Sequence, residues 1–362
     1  MNAAVHELAG RDRELRGLAL LLDPTALGAL VGAPARIRHV RYKPGTSLLA
    51  SFDTTHGSFW AGVWQDGDKA ESARRRSRAV SALPGIAHSA VGPARSDRVL
   101  VAALTRAERA EPALRDASVV RHNPGRRLVL RTRGEYVKTA PGRADAALRH
   151  AHRLRSAGIP TVEARRLCGD HTWAAAAWGS GDLESHPSAP HAAAAGAALA
   201  RVHAHSSGAP VEDTADGRAA AAVRAVRTVL PALADRAHAL SLRRPIAGRP
   251  ALVHGDFSAD QVLVDGRDEV RLIDLDRMGT GDPARDLASF AVEELLRTGG
   301  SPLTEALFGA YRTNGGTVSE GEWRSWMPLC ALERVIEPFR HGEQDWPTLV
   351  ESRLRQAEEA LS

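Results

Sequence analysis

Acidic and amide side chains that could hold a metal ion are concentrated between residues 253 and 290. An Asp-Gly turn signal at residues 265–266 separates two short apolar segments, and this pattern predicts a β-hairpin. Counted outward from the turn, Gln261 lies nearly opposite Asp274, so an amide oxygen and a carboxylate can share one hard cation. Magnesium takes a few oxygen ligands of this kind together with phosphate oxygens. The spacing therefore predicts a Mg²⁺ site.

A further carboxylate, that of Asp256, lies five residues before Gln261 in a loop that follows a short apolar segment. Its position is near the predicted metal site without making it a ligand. Phosphoryl transfer to a hydroxyl needs this arrangement, because a carboxylate accepts or orients the attacking O–H and a cation binds the β- and γ-phosphates. Each motif taken alone has a simpler interpretation. His-Gly-Asp is a common loop tripeptide, and Asp282, Pro283 and Asp286 are also typical of the first turn of a helix with no further role.

The order of these motifs resembles that of the aminoglycoside phosphotransferase and choline-kinase-like superfamily. The pattern is H-G-D-x₄-Q, then I-D eighteen residues after the first Asp, then G-D-P-x-x-D-L-A. The resemblance implies that Asp256 is the catalytic base, that Gln261 and Asp274 are the metal ligands, and that His254 and Asp286 support the catalytic loop. Most members have Asn where this chain has Gln261, but maltokinase-like members, the nearest in pattern, carry Gln.

The same resemblance implies an α+β architecture, the bilobal protein-kinase-like fold with a small β-rich N-lobe and a mostly helical C-lobe. Residues 1–115 are then an extra N-terminal cap-like subdomain, similar to the cap of maltokinase-like proteins. Residues 116–180 are the nucleotide-binding small lobe, and residues 181–362 are the helical large lobe with the catalytic and metal site. A chain of 362 residues is long enough for two or three such units.

An internal repeat marks the predicted nucleotide site. The segment Val40–Gly45 recurs eighty residues later, each copy reading as a strand, a Pro-Gly turn and a second strand. The second copy continues into a third strand that carries Lys138, which is the order of elements in kinase-like small lobes. We therefore expect Lys138 to hold the α- and β-phosphates of ATP, and Asn123, Gly125 and Arg126 to belong to a phosphate loop that has one glycine.

Lysine is scarce in this chain, where the 48 Lys and Arg residues include lysines only at positions 43, 69 and 138. The ammonium of lysine is a compact point charge, unlike the planar fork of arginine. The presence of a lysine at position 138 therefore favours a contact with phosphate over the alternative, an exposed lysine at the end of a strand. Kinase-like proteins pair this lysine with an acid on the next helix. Asp145 is the acid available on the helix predicted over residues 144–157.

The remaining secondary structure is predicted from hydrophobic periodicity and from Gly and Pro. In the N-terminal part these are one helix over residues 1–30 with a stop near Asp23-Pro24, strands Ile37–Tyr42, Ser47–Phe52 and Phe59–Trp64, a helix over Lys69–Leu83 and a strand over Val99–Leu104. In the large lobe they include a helix that ends at Ser206–Gly208 and a helix over Pro283–Thr298.

Composition narrows the functional class. A net charge of +5 without basic blocks that alternate with aromatic residues predicts no nucleic-acid partner, and a basic cleft for nucleotide phosphates accounts for the charge. Cys168 and Cys330 have no metal-binding spacing and suggest reduced thiols. The apolar segment Leu18–Leu22 is too short to cross a membrane, and no targeting segment is evident. We therefore expect a cytoplasmic protein with access to ATP.

Three functions follow from these observations. The first is ATP- and Mg²⁺-dependent phosphorylation of a hydroxyl on a small polar molecule, with a sugar or aminoglycoside as the acceptor that the resemblance implies. The second is phosphorylation of Ser or Thr in a peptide natural-product precursor, with a partner protein or a homodimer. The third is a pseudokinase binding module. Retention of both Asp256 and Asp274 argues against the third.

Overall fold

The computed structural model describes residues 3–205 and 215–359, so the predicted helix stop at Ser206–Gly208 lies outside the described residues. The helices are α1 (Ala3–Arg11), α2 (Leu18–Leu21), α3 (Pro24–Val31), α4 (Gly67–Arg76), α5 (Val101–Ala110), α6 (Ala144–Ser156), α7 (Ala189–His203), α8 (Ala215–Val229), α9 (Ala234–Ser241), α10 (Pro283–Thr298), α11 (Pro302–Thr313), α12 (Glu320–Arg334), α13 (Glu337–Arg340) and α14 (Trp346–Glu359). The strands are β1 (Arg36–Lys43), β2 (Ser47–Thr54), β3 (Gly57–Trp64), β4 (Ser81–Leu83), β5 (Ile86–Pro93), β6 (Ser118–Asn123), β7 (Arg127–Arg131), β8 (Glu135–Thr139), β9 (Ala164–Cys168), β10 (Thr172–Ala176), β11 (Gly181–Asp182), β12 (Ala251–Val253), β13 (Val262–Val264), β14 (Val270–Leu272) and β15 (Gly279–Gly281).

The N-terminal helical segment differs from its prediction, because residues 1–30 contain three short helices rather than one. Gly17 has a left-handed φ of 95° immediately before α2, a conformation that interrupts a helix. Asp23 then begins α3, since its side chain accepts hydrogen bonds from the backbone N–H groups of Thr25 and Ala26 while Pro24 occupies the first helical position. The predicted stop at Asp23-Pro24 is therefore the start of a new helix.

Two further predictions in this region were wrong. The helix predicted over Lys69–Leu83 ends at Arg76, and its last three residues form β4. The strand predicted over Val99–Leu104 is instead the start of α5. Leu100, Leu104 and Ala107 are all buried in one apolar cluster, and their spacing of four and three residues fits one face of a helix. A short apolar run does not distinguish a buried strand from a buried helix.

The repeat extends far beyond the hairpin that the sequence revealed. The first five-stranded sheet has the order β1-β2-β3-β5-β4, and the second has the order β6-β7-β8-β10-β9. In each copy three antiparallel strands are followed by a helix, α4 or α6, and then by two more strands. The chain thus contains two copies of the same β-sheet topology, and the second copy carries Lys138 on its third strand.

Each copy fastens its Pro-Gly turn to a preceding aspartate. In the first copy, Asp12 accepts hydrogen bonds from the Tyr42 hydroxyl at 2.7 Å and from the Gly45 amide at 2.8 Å. In the second copy, Asp97 accepts one from the Gly125 amide at 2.6 Å, and it also contacts the histidine three residues before that glycine at 2.9 Å. The two turns are therefore built in the same way, with a carboxylate that bridges a ring and a glycine amide.

The chain divides into two compact units. The first comprises residues 1–144, 165–175 and 337–350, and the second comprises residues 145–164, 176–336 and 351–362. In the first unit, α4 and the first sheet bury one cluster around Trp60 and Trp64, and the second sheet buries another with α5. The domain boundaries expected at residues 115 and 180 stay predictions. No helix in the described ranges has the length and apolar character to cross a bilayer.

Helices α7, α10, α11 and α12 position the catalytic segment of the second unit. Helix α10 spans Pro283–Thr298, as predicted, because the Asp282 side chain caps its first turn and Gly299 ends it with a φ of 74°. Helices α7 and α11 approach closely at Gly196. A Cβ at that position would lie 2.0 Å from the carbonyl oxygen of Leu307, so glycine is required for this contact.

We predict that Gly196→Ala lowers the free energy of unfolding by about 1–3 kcal/mol, because the added methyl group must push α7 away from α11. Gly309→Ala is the matched control, since its Cβ would meet nothing within 4 Å and alanine favours a helix. Urea denaturation followed by circular dichroism measures both. Equal stability of the two variants would contradict the predicted close packing.

Candidate active site

The predicted hairpin is present and has the expected register. Strands β13 and β14 are antiparallel, and Val264 pairs with Val270. The backbone amide of Ile273 donates to the carbonyl oxygen of Gln261 at 3.0 Å. Asp274 is the next residue, so Gln261 lies within one residue of facing it, as the sequence predicted.

The side chains at this end of the hairpin fit a hard cation. The amide nitrogen of Gln261 donates to Asp260 at 2.7 Å. Its Oε1 atom is buried and accepts no hydrogen bond within the described part of the chain, although buried carbonyl oxygens normally have a donor. Asp274 holds a left-handed φ of 59°, which is unusual for a residue other than glycine and is often found at functional sites. An amide oxygen without a donor, on a residue whose backbone pairs with the neighbour of Asp274, suits Mg²⁺.

The catalytic loop is held by the buried carboxylate of Asp286. One of its oxygens accepts the backbone N–H of His254 at 2.6 Å, and the other accepts that of Gly255 at 3.0 Å. Gly255 has a φ of 82°, and a Cβ there would lie 2.5 Å from the carbonyl oxygen of Arg277. The loop can take this path only with glycine between His254 and Asp256.

A second histidine completes the support of Asp286. Nε2 of His203 lies 3.2 Å from the Asp286 carboxylate, and Nδ1 lies 3.0 Å from the hydroxyl of Tyr311. Burial alone would raise the pKa of Asp286, but the hydrogen bonds and positive potential of His203 and His254 hold it below its usual value. The contact of His203 with Asp286 was not predictable, because the sequence shows at this position only an H-x-H pair with His205 at the end of a predicted helix.

His254 joins the loop to the hairpin. Its side chain is fully buried, and its Nε2 lies 2.8 Å from the carbonyl oxygen of Ile273, the residue before Asp274. The ring also packs edge-on against Phe257 at 5.6 Å. His254 is therefore placed to fix the distance between the loop of Asp256 and the predicted metal ligands.

Asp256 itself is accessible. Its side chain is 35% exposed and lies 3.0 Å from the guanidinium of Arg277. Behind it, Arg285 donates to the carbonyl oxygen of Gly255 at 3.1 Å and pairs with Glu333 of α12 at 2.8 Å. The contacts of Arg277, Arg285 and Glu333 were not predicted. Arginines are numerous in this chain, and the residues that they contact here are distant in sequence.

The residues predicted to bind the nucleotide lie mainly in the first unit. Lys138 stands opposite Val129 in the second sheet, with its ammonium 5.3 Å from the ring centroid of Trp173. The amide of Gly125 is engaged by Asp97. Oδ1 of Asn123 is buried and has no hydrogen-bond partner among the described residues.

The predicted site residues are divided between the two compact units. The catalytic and metal group, His254, Asp256, Gln261, Asp274 and Asp286, belongs to the second unit. Asn123, Gly125, Arg126 and Lys138 belong to the first unit, whereas Asp145 belongs to the second. The predicted pairing of Lys138 with Asp145 stays a prediction.

Comparison with known proteins gives a consistent picture. The family model described as "Phosphotransferase enzyme family" matches residues 108–329. A choline/ethanolamine kinase family protein from Mesorhizobium loti is 17% identical, with a TM-score of 0.51, covering 72% of this chain and 94% of that chain. The GDP and kanamycin complex of APH(2")-IIia is also 17% identical, with a TM-score of 0.50, covering 72% of this chain and 99% of that chain. No curated protein matches the sequence. The structural likeness confirms the predicted fold class.

We predict that Asp286→Asn lowers the free energy of unfolding at pH 7 by about 1.5–3 kcal/mol, the scale of hydrogen bonds to a charged group. Because the folded-state pKa of Asp286 is lowered, its contribution is complete above the unfolded pKa of about 3.9 and is lost as pH falls through the folded value. Urea unfolding between pH 7 and pH 3 should therefore show the gap to wild type narrowing below about pH 5.

The exposed Asp268, with a side chain 70% accessible, provides the control for this measurement. Asp268→Asn should follow the wild-type pH profile throughout. A gap between Asp286→Asn and wild type that stays constant down to pH 3 would show that the charge of Asp286 is not what stabilises the loop.

Proposed function

Since this chain belongs to the phosphotransferase enzyme family, we propose that it transfers the terminal phosphoryl group of ATP, with Mg²⁺, to a hydroxyl of a small polar molecule. A sugar or an aminoglycoside is the acceptor class that we favour. The observation that carries the proposal is the buried Oε1 of Gln261, at the end of the hairpin where Asp274 follows. It lies in the same compact unit as the accessible carboxylate of Asp256.

Asp256 is the proposed base. It accepts the proton of the acceptor hydroxyl as the acceptor oxygen bonds to the γ-phosphorus and the bond from that phosphorus to the bridging oxygen breaks, with ADP as the leaving group. The exposure of its carboxylate gives the acceptor access. Its ion pair with Arg277 holds the carboxylate in one orientation, yet an exposed pair of this kind is worth about 0–1 kcal/mol. An acceptor can therefore displace Arg277 at small cost.

Other residues of the chain are assigned supporting roles in this proposal. Gln261 and Asp274 would hold Mg²⁺, which neutralises phosphate charge when bound. Lys138 would contact the α- and β-phosphates, and Asp145 would orient that lysine. The turn with Asn123 and Arg126 would contribute through side chains, since the Gly125 amide already donates to Asp97.

The geometry at the end of the hairpin supplies a matched test of the metal site. Asp274 and Asp268 are aspartates with the same left-handed φ of 59°, and Asn tolerates that conformation. We predict that Asp274→Asn weakens binding of Mg-ATP at least about tenfold through loss of a charged ligand, whereas Asp268→Asn binds as wild type does. Isothermal titration calorimetry with and without Mg²⁺ measures both.

GTP should be titrated beside ATP, because the similar APH(2")-IIia structure is a complex with GDP. Equal binding of Mg-ATP and Mg-GTP by wild type and Asp274→Asn would remove Asp274 from the metal site. No Mg²⁺-dependent nucleotide binding by wild type would overturn the proposed function.

We predict that Asp256→Asn lowers kcat by about 10²–10⁴, the usual contribution of a positioned general base. Its stability should change little because the carboxylate is partly exposed and pairs with one exposed arginine. Phosphate transfer from ATP to kanamycin and to a panel of free sugars, followed by release of ADP, measures turnover. An Asp256→Asn protein as active as wild type would disprove its assignment as the base.

A further inference from the structure

A second charged pocket lies in the first compact unit, on the first five-stranded sheet. Its cavity volume is about 130 Å³, which is room for several water molecules. The aromatic rings of Trp60 and Trp64 form part of its lining, together with four basic side chains from different elements. These are Arg41 and Lys43 of β1, Lys69 of α4 and Arg98 after β5. None of them belongs to the proposed active site.

The positive charge in this pocket is poorly compensated. The side chains of Lys43 and Arg98 make no ion pair or hydrogen bond to any residue that the structure describes. Lys69 has one partner, Asp66 at 3.5 Å, and both are exposed by about two fifths. Burial and the nearby Arg126 lower the pKa of Arg41, and the carboxylate of Asp97 only partly opposes that shift.

The lining holds one acidic residue, Asp97, against four basic ones. The carboxylate of Asp97 accepts the amides of Gly125 and Val99 and contacts the imidazole of His122 at 2.9 Å. Burial would raise its pKa, but these bonds hold it low. The carboxylate of Asp97 is thus hydrogen-bonded within and around the second turn. The four basic side chains of the lining therefore share one carboxylate, which already has other partners.

The distribution of lysine singles out the same pocket. Of the three lysines in the chain, at positions 43, 69 and 138, two line this cavity and the third is proposed to contact nucleotide phosphates. Lysine offers a compact, mobile charge that suits a phosphate group. Since nearly all other basic residues of the chain are arginine, two lysines at one cavity favour a site that binds phosphate through ammonium groups.

The repeat gives the pocket a counterpart. Most of its lining comes from the first turn, β1, β2, β3 and α4, the elements that correspond to those predicted to hold the nucleotide in the second copy, and the rest comes from residues 97–99 and from Gly125. Alignment of the Pro-Gly turns places Lys43 at the position of Asn123. Leu49 then matches Val129, and their strand partners are Gly62 and Lys138. The first copy therefore has a glycine where the second has its central lysine, and its own lysines lie at the end of β1 and in α4.

We propose that this pocket, bounded by Arg41, Lys43, Lys69 and Arg98 over Trp60 and Trp64, is a second anion site that binds a phosphate-bearing small molecule. The choice of phosphate over another anion rests partly on the proposed function, because the corresponding elements of the second copy are those assigned to nucleotide phosphates. Gly125 of the second turn also lines the pocket, but its amide is engaged by Asp97, and none of the four basic residues is among those assigned to the phosphoryl donor. The ligand that we propose is therefore an effector.

The test uses pyrophosphate without divalent metal, which keeps the Mg²⁺-dependent site unoccupied. Binding to the full chain is followed by calorimetry and by the tryptophan fluorescence that Trp60 and Trp64 contribute. We expect saturable binding by wild type and by Lys138→Gln. The Lys43→Gln/Lys69→Gln double variant should bind at least about tenfold more weakly, and Lys43→Arg/Lys69→Arg should recover part of the affinity.

Inorganic phosphate, ADP and a sugar phosphate, each without metal, distinguish free phosphate from a phosphate ester as the natural ligand. Binding that is lost in Lys138→Gln instead of the double variant would overturn the proposal, as would equal affinity of wild type and the double variant or no binding by wild type. Mg-ATP binding by the double variant separates the two hypotheses. If it persists while pyrophosphate binding is lost, the pocket is a distinct site. If wild type binds pyrophosphate but no Mg-ATP, the proposed function fails and the pocket stands.

Discussion

The candidate active site depends on one buried carboxylate. Asp286 lies in the first turn of α10 and accepts the amides of His254 and Gly255, so the loop is attached directly to a helix that is itself buried. A charge buried this deeply is tolerated only with several donors, and His203 supplies another. The orientation of Asp256 therefore follows from a helix start thirty residues later in the sequence.

The first unit uses the same device for a different purpose. Asp12 and Asp97 each bind a glycine amide at a Pro-Gly turn and a ring nearby. A carboxylate that accepts two or three donors fixes a loop more firmly than a neutral acceptor, since charge-assisted hydrogen bonds are the stronger ones. The two sheets thus share one turn geometry although the side chains around the turns differ.

Local signals accounted for much of what the sequence revealed. The hairpin register was predictable from the Asp-Gly turn, and the start of α10 from the Pro at its first position, because both signals are local. The superfamily was predictable from the strict order of the motifs. The contacts of His203 with Asp286, of Arg277 with Asp256 and of Arg285 with Gly255 were not predictable, because each joins residues that are distant in sequence. The prediction of a strand over Val99–Leu104 was wrong for a related reason. Over only six residues, the apolar residues on the buried face of a helix give a pattern similar to that of a buried strand.

Gly62 occupies in the first sheet the position that Lys138 occupies in the second. A Cβ at this position would lie 2.5 Å from a methyl group of Leu49 and 2.7 Å from the ring of Trp64. A side chain at this position would therefore have to displace Leu49 and Trp64. The centre of the first sheet is filled by packed apolar groups where the second sheet carries an ammonium, so a change at Gly62 alone would not give the first sheet the charge of the second.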